Sequence, residues 1–186
     1  VAGTRKDVRA RLLRAALELF AERGYDGTTA ADIARRADVT ERTYYRHFPD
    51  KREALFDGEE DLRNALAAAV ASIPSGSSPT GVLLLAFLAM IPNLEKDADL
   101  KRRRQAVIVS APELRERELT KEAHLASAVA DALESRGVRR QVAALAATSG
   151  IAVLSQARHQ WLRGTSDDYA ELLTSGFADL RAVAEK

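Results

Sequence analysis

The chain is predicted to be all-α, and three observations carry that expectation. Apolar residues recur at helical spacing through its segments, Gly and Pro punctuate those segments, and no run alternates as a half-buried strand would. The pattern divides into a three-helix head over residues 1–50 and a helical body over 51–186. A linking helix over 51–73 is shared between them, and about nine helices are expected in all.

Composition sets the outer bounds. With 186 residues, 46% hydrophobic and 30% charged, the chain can fold as a small unit plus a medium one. The longest apolar run, Val82–Ile91, is too short for a bilayer, and no basic region precedes a cleavable apolar one. A cytoplasmic protein with no membrane partner is expected. The absence of cysteine removes thiol catalysis, disulfides and cysteine metal sites. Residues 1–52 hold twelve Lys or Arg against eight Asp or Glu, whereas the remainder holds sixteen against nineteen. The basic excess therefore lies in the head, as a nucleic-acid-binding region requires.

The first helix runs over Asp7–Arg23, with Leu12, Leu13, Ala16, Leu17 and Phe20 on its inner stripe and Gly24 as its stop. Arg5, Lys6, Arg9 and Arg11 cluster at its start, either touching a DNA backbone or simply solvated. A turn over Tyr25–Thr28 leads to Thr29, which is placed to cap a second helix over Ala30–Ala37. Ala30, Ile33, Ala34 and Ala37 face inward. Asp38 and Val39 then lead to Thr40, the cap of a third helix that ends before Pro49.

That third helix has two unlike faces. At 100° per residue, Tyr44 and Phe48 share one side and bury, while Arg42 and Arg46 point the other way, flanked by Thr43 and Tyr45. Arginine reads guanine edges or grips phosphates, and Thr and Tyr hydroxyls bond phosphate oxygens. Two short helices, a tight turn and a cationic second helix make a helix-turn-helix. The plain alternative is a surface helix with two solvated arginines.

The run FAERGYDGTTAADIARRADVTERTYYRHFPDKREALF resembles the DNA-binding domain of the tetracycline-repressor (TetR) family, without a gap over roughly residues 8 to 60. The motifs that carry the resemblance are aromatic-x-x-x-Gly-Tyr before paired threonines, Ile-Ala in the second helix, and Tyr-Tyr-x-His-Phe-x-x-Lys. Asp38 departs from the glycine many relatives place in the turn, but Asp tolerates the left-handed conformation. The resemblance implies that Thr28 or Thr29, Tyr45, His47 and Lys51 grip phosphates. It also implies that Glu41, Arg42, Thr43 and Arg46 face bases, with Thr40 at the helix start. No catalytic residue, metal or cofactor is implied; the expected partners are a double-stranded operator and a small-molecule effector.

Asp50 is expected to cap the linking helix, whose stripe is Leu55, Leu62, Leu66, Ala69, Val70 and Ile73. PSGSSP over 74–79 is a flexible-looking break. Helices follow from Thr80 or Gly81 to Ile91, ended by Pro92, then over 97–110, 112–136 and 139–163, and from Ser166 or Asp167 to about residue 185. Ala143, Ala144, Ala146, Ala147, Ser149, Gly150 and Ala152, with Leu173, Gly176, Phe177 and Leu180, suit the last two helices to a four-helix bundle across a two-fold axis. The resemblance implies the same homodimer, and with it an inverted-repeat operator. The alternative is that these small residues pack inside one subunit.

Arg103, Arg104, Glu118 and Glu122 fall on or beside apolar stripes, where charges are costly unless paired. They either pair with one another, or Arg103 or Arg104 receives an anionic ligand group in a site lined by Phe87, Met90 and Trp161. The stretch over 102–133 also resembles effector domains of a TetR subgroup with acyl-CoA-like ligands, which implies an acyl-CoA or fatty-acid effector. Two other classes have less support in the sequence. A small all-α enzyme needs a catalytic constellation, but the chain has only His47, His124 and His159, with no HExxH, phosphate loop or dinucleotide loop. The acidic run Glu59, Glu60 and Asp61 splays around a helix. An interaction module with a residual head is disfavoured by Arg42, Tyr45, Arg46 and Lys51.

Overall fold

A computed structural model describes residues 5–164, 166 and 168–184. They form ten α-helices and one 3-10 turn, with no strand among the described residues. The head begins with α1 (Arg5–Arg23), α2 (Ala30–Arg36) and α3 (Glu41–His47). The 3-10 turn (Glu53–Phe56) separates these from α4 (Glu59–Ser72). Next come α5 (Pro79–Ala89), α6 (Ile91–Glu95), α7 (Ala98–Ser110), α8 (Pro112–Ser135), α9 (Arg140–Leu162) and α10 (Tyr169–Ala184).

Three boundaries differ from expectation, each for a local reason. The linking helix is not continuous over 51–73. Asp50 Oδ1 accepts from the backbone N–H groups of Arg52 and Glu53 at 2.9 and 3.2 Å, which winds a 3-10 turn, and Gly58 at φ +85° breaks it from α4. Pro92 does more than end α5, since it stands in the first turn of α6, where its missing N–H is harmless. The last helix starts at Tyr169, with the Asp168 carboxylate accepting the Glu171 N–H at 2.9 Å. Residues 167 and 185, the expected limits, lie outside the described residues. The short α6 turns about nine helices into ten.

The chain packs as two compact units, and their limits cut it differently from a division at residue 50. The first comprises residues up to 59 together with 99–118; the second comprises 60–98 and 119–186. Val107, Ile108, Ala111 and Leu114 join Leu12, Leu19, Phe20, Ile33, Tyr44, Phe48 and Leu55 in one core. Each large side chain buried there contributes about 1.5–3 kcal/mol, enough to hold a segment distant in sequence. A charged cluster completes this unit. Arg117 donates through Nε and Nη2 to both oxygens of Glu53 at 2.7 and 2.9 Å and through Nη2 to Glu59 at 2.7 Å, with its guanidinium 4.6 Å from the Phe56 ring centre. These carboxylates hold the guanidinium pKa above its ordinary range, the Glu53 hydrogen bond most strongly.

The second unit is built around Leu66, Leu83, Phe87, Leu133, Ile151, Leu173 and Phe177. Gly150 lets α5 approach α9, because a Cβ there would stand 2.7 Å from Leu83 Cδ1. Phe87 and Phe177 rings lie 6.0 Å apart, and Trp161 stacks on Tyr169 at 5.5 Å with planes 11° apart. No described helix is long and apolar enough to cross a membrane.

Candidate nucleic-acid interface

The reading head is assembled by caps. Thr29 Oγ1 accepts the Asp32 N–H at 3.1 Å while the Asp32 carboxylate accepts the Thr29 N–H at 3.1 Å, a reciprocal capping box that starts α2. At its other end, Val39 N–H donates to Ala34 O at 3.0 Å and Asp38 N–H to Arg35 O at 3.2 Å. This 6→1 and 5→2 pairing is a Schellman ending, and it places Asp38 at φ +55°, the left-handed position expected of it. Thr40 Oγ1 then accepts the Thr43 N–H at 3.1 Å and starts α3.

Two anchors set the angle of α3. Tyr44 is fully buried and donates its hydroxyl to Asp50 O at 3.0 Å, and burial raises its pKa far above that of a free phenol. Phe48 is buried 5.7 Å away, with the Arg9 guanidinium 4.9 Å from its ring centre. Arg9 also donates Nε to Asp57 at 2.7 Å. It is thereby tied within the head, while Arg5 and Arg11 stay exposed. The Lys6 side chain lies outside the described residues.

The outward face of α3 carries Glu41, Arg42, Tyr45 and Arg46, all exposed, with Tyr45 at 52%. Neither Arg42 nor Arg46 has a carboxylate partner among the described residues. Thr43 is half-buried, and its hydroxyl lies 3.0 Å from that of Thr40.

Of the residues expected to grip phosphate, Thr28 and Lys51 bond inside the head and the His47 ring nitrogens are buried. Thr28 is buried, its hydroxyl donating to Gly24 O at 2.9 Å and Leu19 O at 3.3 Å, so of the threonine pair only Thr29 faces out. Lys51 Nζ donates to Tyr25 O at 2.7 Å and Thr28 O at 3.1 Å and lies 4.0 Å from the Tyr25 ring centre, leaving one N–H for an outside acceptor. Both His47 ring nitrogens are buried without a hydrogen-bond partner, and burial, then Arg46, lowers its pKa.

The residues expected to line a ligand site fall in different units. Arg104 belongs to the first unit, 3.6 Å from Glu118 and with its guanidinium 5.4 Å from the Phe56 ring centre, and Arg103 is exposed. Phe87, Met90 and Trp161 are buried in the core of the second unit. Glu122 also lies in that unit, beside Ser155 and Arg158. Sequence reasoning passed over Lys121, Arg158 and Tyr169. Lys121 carried a visible signal, since it stands seven residues after Leu114 and four before Leu125 on the inward line of α8.

Known proteins share both parts of the chain. Residues 12–57 match the family described as bacterial regulatory proteins, tetR family, and residues 77–185 match the MftR C-terminal domain. TcmR, an HTH-type transcriptional regulator of Streptomyces glaucescens, is 36% identical over half of this chain, but the match spans only 41% of TcmR. A Mycobacterium tuberculosis protein named for transcriptional regulation of mycofactocin biosynthesis, MftR, is 27% identical over 87% of this chain and 83% of its own. The structure of Thermus thermophilus FadR, a TetR-family repressor in complex with lauroyl-CoA, superposes with a TM-score of 0.58 at 27% identity, covering 91% of each chain. A TetR-family regulator from Mesorhizobium loti shares the fold at a TM-score of 0.61, over 97% of this chain and 96% of its own, at 22% identity. Matched at the head by one signature and through the body by the other, the chain belongs to the TetR family of bacterial regulatory proteins.

Proposed function

We propose that this protein is a sequence-specific DNA-binding transcriptional regulator, a repressor that leaves its operator when a small molecule binds the second unit. The observation that carries the reading is the outward face of α3, where Arg42, Tyr45 and Arg46 stand exposed on a helix pinned from behind by Tyr44 and Phe48. Phosphate contacts fix register and base contacts select sequence. Tyr45 serves the first role, since the Thr29 N–H and hydroxyl both donate to Asp32, and Glu41, Arg42 and Arg46 serve the second. The reading supports a cytoplasmic protein.

The regulator acts as a homodimer through α9 and α10 on an inverted repeat. Ala143, Ala147, Gly150, Leu173 and Phe177 are already buried within one chain, so the pairing face falls to exposed Ala144, Leu145, Thr148, Ala152 and Val183. The effector is of acyl-CoA or fatty-acid type, a reading supported by lauroyl-CoA in Thermus FadR. Ligand control follows from unequal affinity for the two conformations of the dimer.

Footprinting on DNA flanking the gene, repeated with candidate effectors, tests the whole reading. Protection of an inverted repeat, lost on adding an acyl ligand and weakened steeply by salt, is the expected result. A protein that stays monomeric at micromolar concentration, or protects no site, refutes it.

A further inference from the structure

The core of the second unit holds a polar cluster that DNA reading does not use. Tyr169, the first residue of α10, is 1% exposed, and its hydroxyl has no hydrogen-bond partner among the described residues. Leaving a buried hydroxyl unpaired costs about 1–3 kcal/mol, so such a group usually marks a partner to come. Tyr169 lines a cavity of about 40 Å³ together with Lys121, Glu122, Ser155 and Arg158, and leucines of α4, α6, α8 and α9 form its apolar wall. Lys121 is only 3% exposed. Glu122 accepts the Ser155 hydroxyl and lies 3.6 Å from Arg158.

Charge and protonation narrow the occupant. Two cations and one carboxylate line the cavity, and Glu95, outside the lining, is the smallest of the three influences on the phenol. Burial pushes the Tyr169 pKa up to about 12, against the pull of Arg158, so at neutral pH the phenol is a proton donor. A buried O–H donor beside surplus positive charge suits an anionic acceptor, and a carboxylate makes the strong, charge-assisted form of that bond. The volume admits a head group of a few atoms, so the rest of the ligand extends beyond it.

We propose that this cavity seats the carboxylate of an aliphatic acid, with Tyr169 donating its hydroxyl, Arg158 and Lys121 supplying charge, and the chain lying along the leucine wall. The inference rests on the effector-controlled reading above and deepens it, because it names a free acid in place of a thioester.

Trp161 is the single tryptophan of the chain and is stacked on Tyr169, so its emission reports on the seat directly. The full-length protein is titrated with octanoate, octanol and octanoyl-CoA, as wild type and as Tyr169→Phe, with operator affinity followed in parallel. Octanoate is expected to change Trp161 emission and to bind about tenfold tighter than either other compound, and Tyr169→Phe to remove about tenfold of that affinity. Thermal unfolding of Tyr169→Phe checks that the core is intact. The proposal is overturned by octanol binding as tightly as octanoate, by a tighter CoA ester, or by an unchanged affinity in the variant. Octanoate that releases the operator equally from both proteins sinks this seat and leaves effector control standing. Failure of every compound to release a well-bound operator sinks effector control as well.

Discussion

α2 and α3 are alike on paper and opposite in use. Each has seven residues, follows a threonine cap and ends in two basic residues. The arginines of α2 are spent inside the head. Arg35 pairs with Asp32, and Arg36 reaches Glu18 at 3.1 Å and Glu22 at 2.8 Å on α1, which raises the Arg36 pKa and lowers that of Glu22. Among the described residues the arginines of α3 have no such partners and stay open to an anion. The difference teaches that cationic character alone does not identify a reading helix; what identifies it is cation count after the internal carboxylates have been assigned.

The sharpest way to break this comparison is to remove the arginines pairwise. Arg42→Ala with Arg46→Ala is expected to lower operator affinity by about 100-fold or more, since each base-reading side chain contributes about 1–3 kcal/mol. Arg35→Ala should cost less than about threefold, its ion pair being exposed. Fluorescence anisotropy on one operator decides this, and equal losses in the two helices would abolish the distinction. Arg42→Ala alone should also relax preference across a panel of operator variants, whereas Tyr45→Phe should weaken all of them alike.

A second substitution asks what an internally committed arginine contributes to stability. Arg117→Ala removes the ion pairs that Arg117 makes with half-buried Glu53 and Glu59 and is expected to cost about 2 kcal/mol in urea unfolding, below the usual range of broken buried pairs because all three groups keep some exposure and Glu53 keeps Arg52 at 3.7 Å. A loss under about 0.5 kcal/mol would reduce the cluster to surface decoration. Smaller still are the caps. Thr29→Ala and Thr40→Ala should each cost about 1 kcal/mol, and only the Thr40 change should disturb DNA binding beyond its effect on stability.

The smallest effect is one of pH. His47 has its pKa lowered by burial and by Arg46, so the unfolded chain binds the proton more readily than the folded one. Stability should therefore be fully present above about pH 6.5, the ordinary histidine value, and fall as pH drops through the lowered folded value. Comparing urea midpoints across pH in wild type and His47→Gln isolates this contribution. An identical pH profile in the variant would show that the imidazole is not the group responsible.

Much of the head was legible because its signals are local. Caps at Thr29 and Thr40, the left-handed Asp38 and the buried pair Tyr44 and Phe48 depend on neighbours within a few residues, and all stand where periodicity and capping rules put them. The candidate site was less legible where a side chain had a choice of partner. Thr28 and Lys51 carry groups that suit phosphate equally well, and nothing nearby in sequence announces that Leu19, Gly24 and Tyr25 will offer them backbone carbonyls. The Ala-rich face of α9 poses the same difficulty. Small residues permit close packing without naming the partner, and Gly150 takes Leu83 of the same chain.

The sequence by itself determined most of the helices, the turn between α2 and α3, the orientation of the reading face and the family. These follow from spacing, caps and motif, which act over one or two turns of chain. Only the tertiary structure decided that residues 99–118 pack into the first unit, that Arg117 is shared between Glu53 and Glu59, and that Tyr169 lines a cavity with Lys121 and Arg158. Those outcomes join residues tens of positions apart, where a charge or an apolar stripe fixes that a partner is required but leaves its identity to the packing of the whole core.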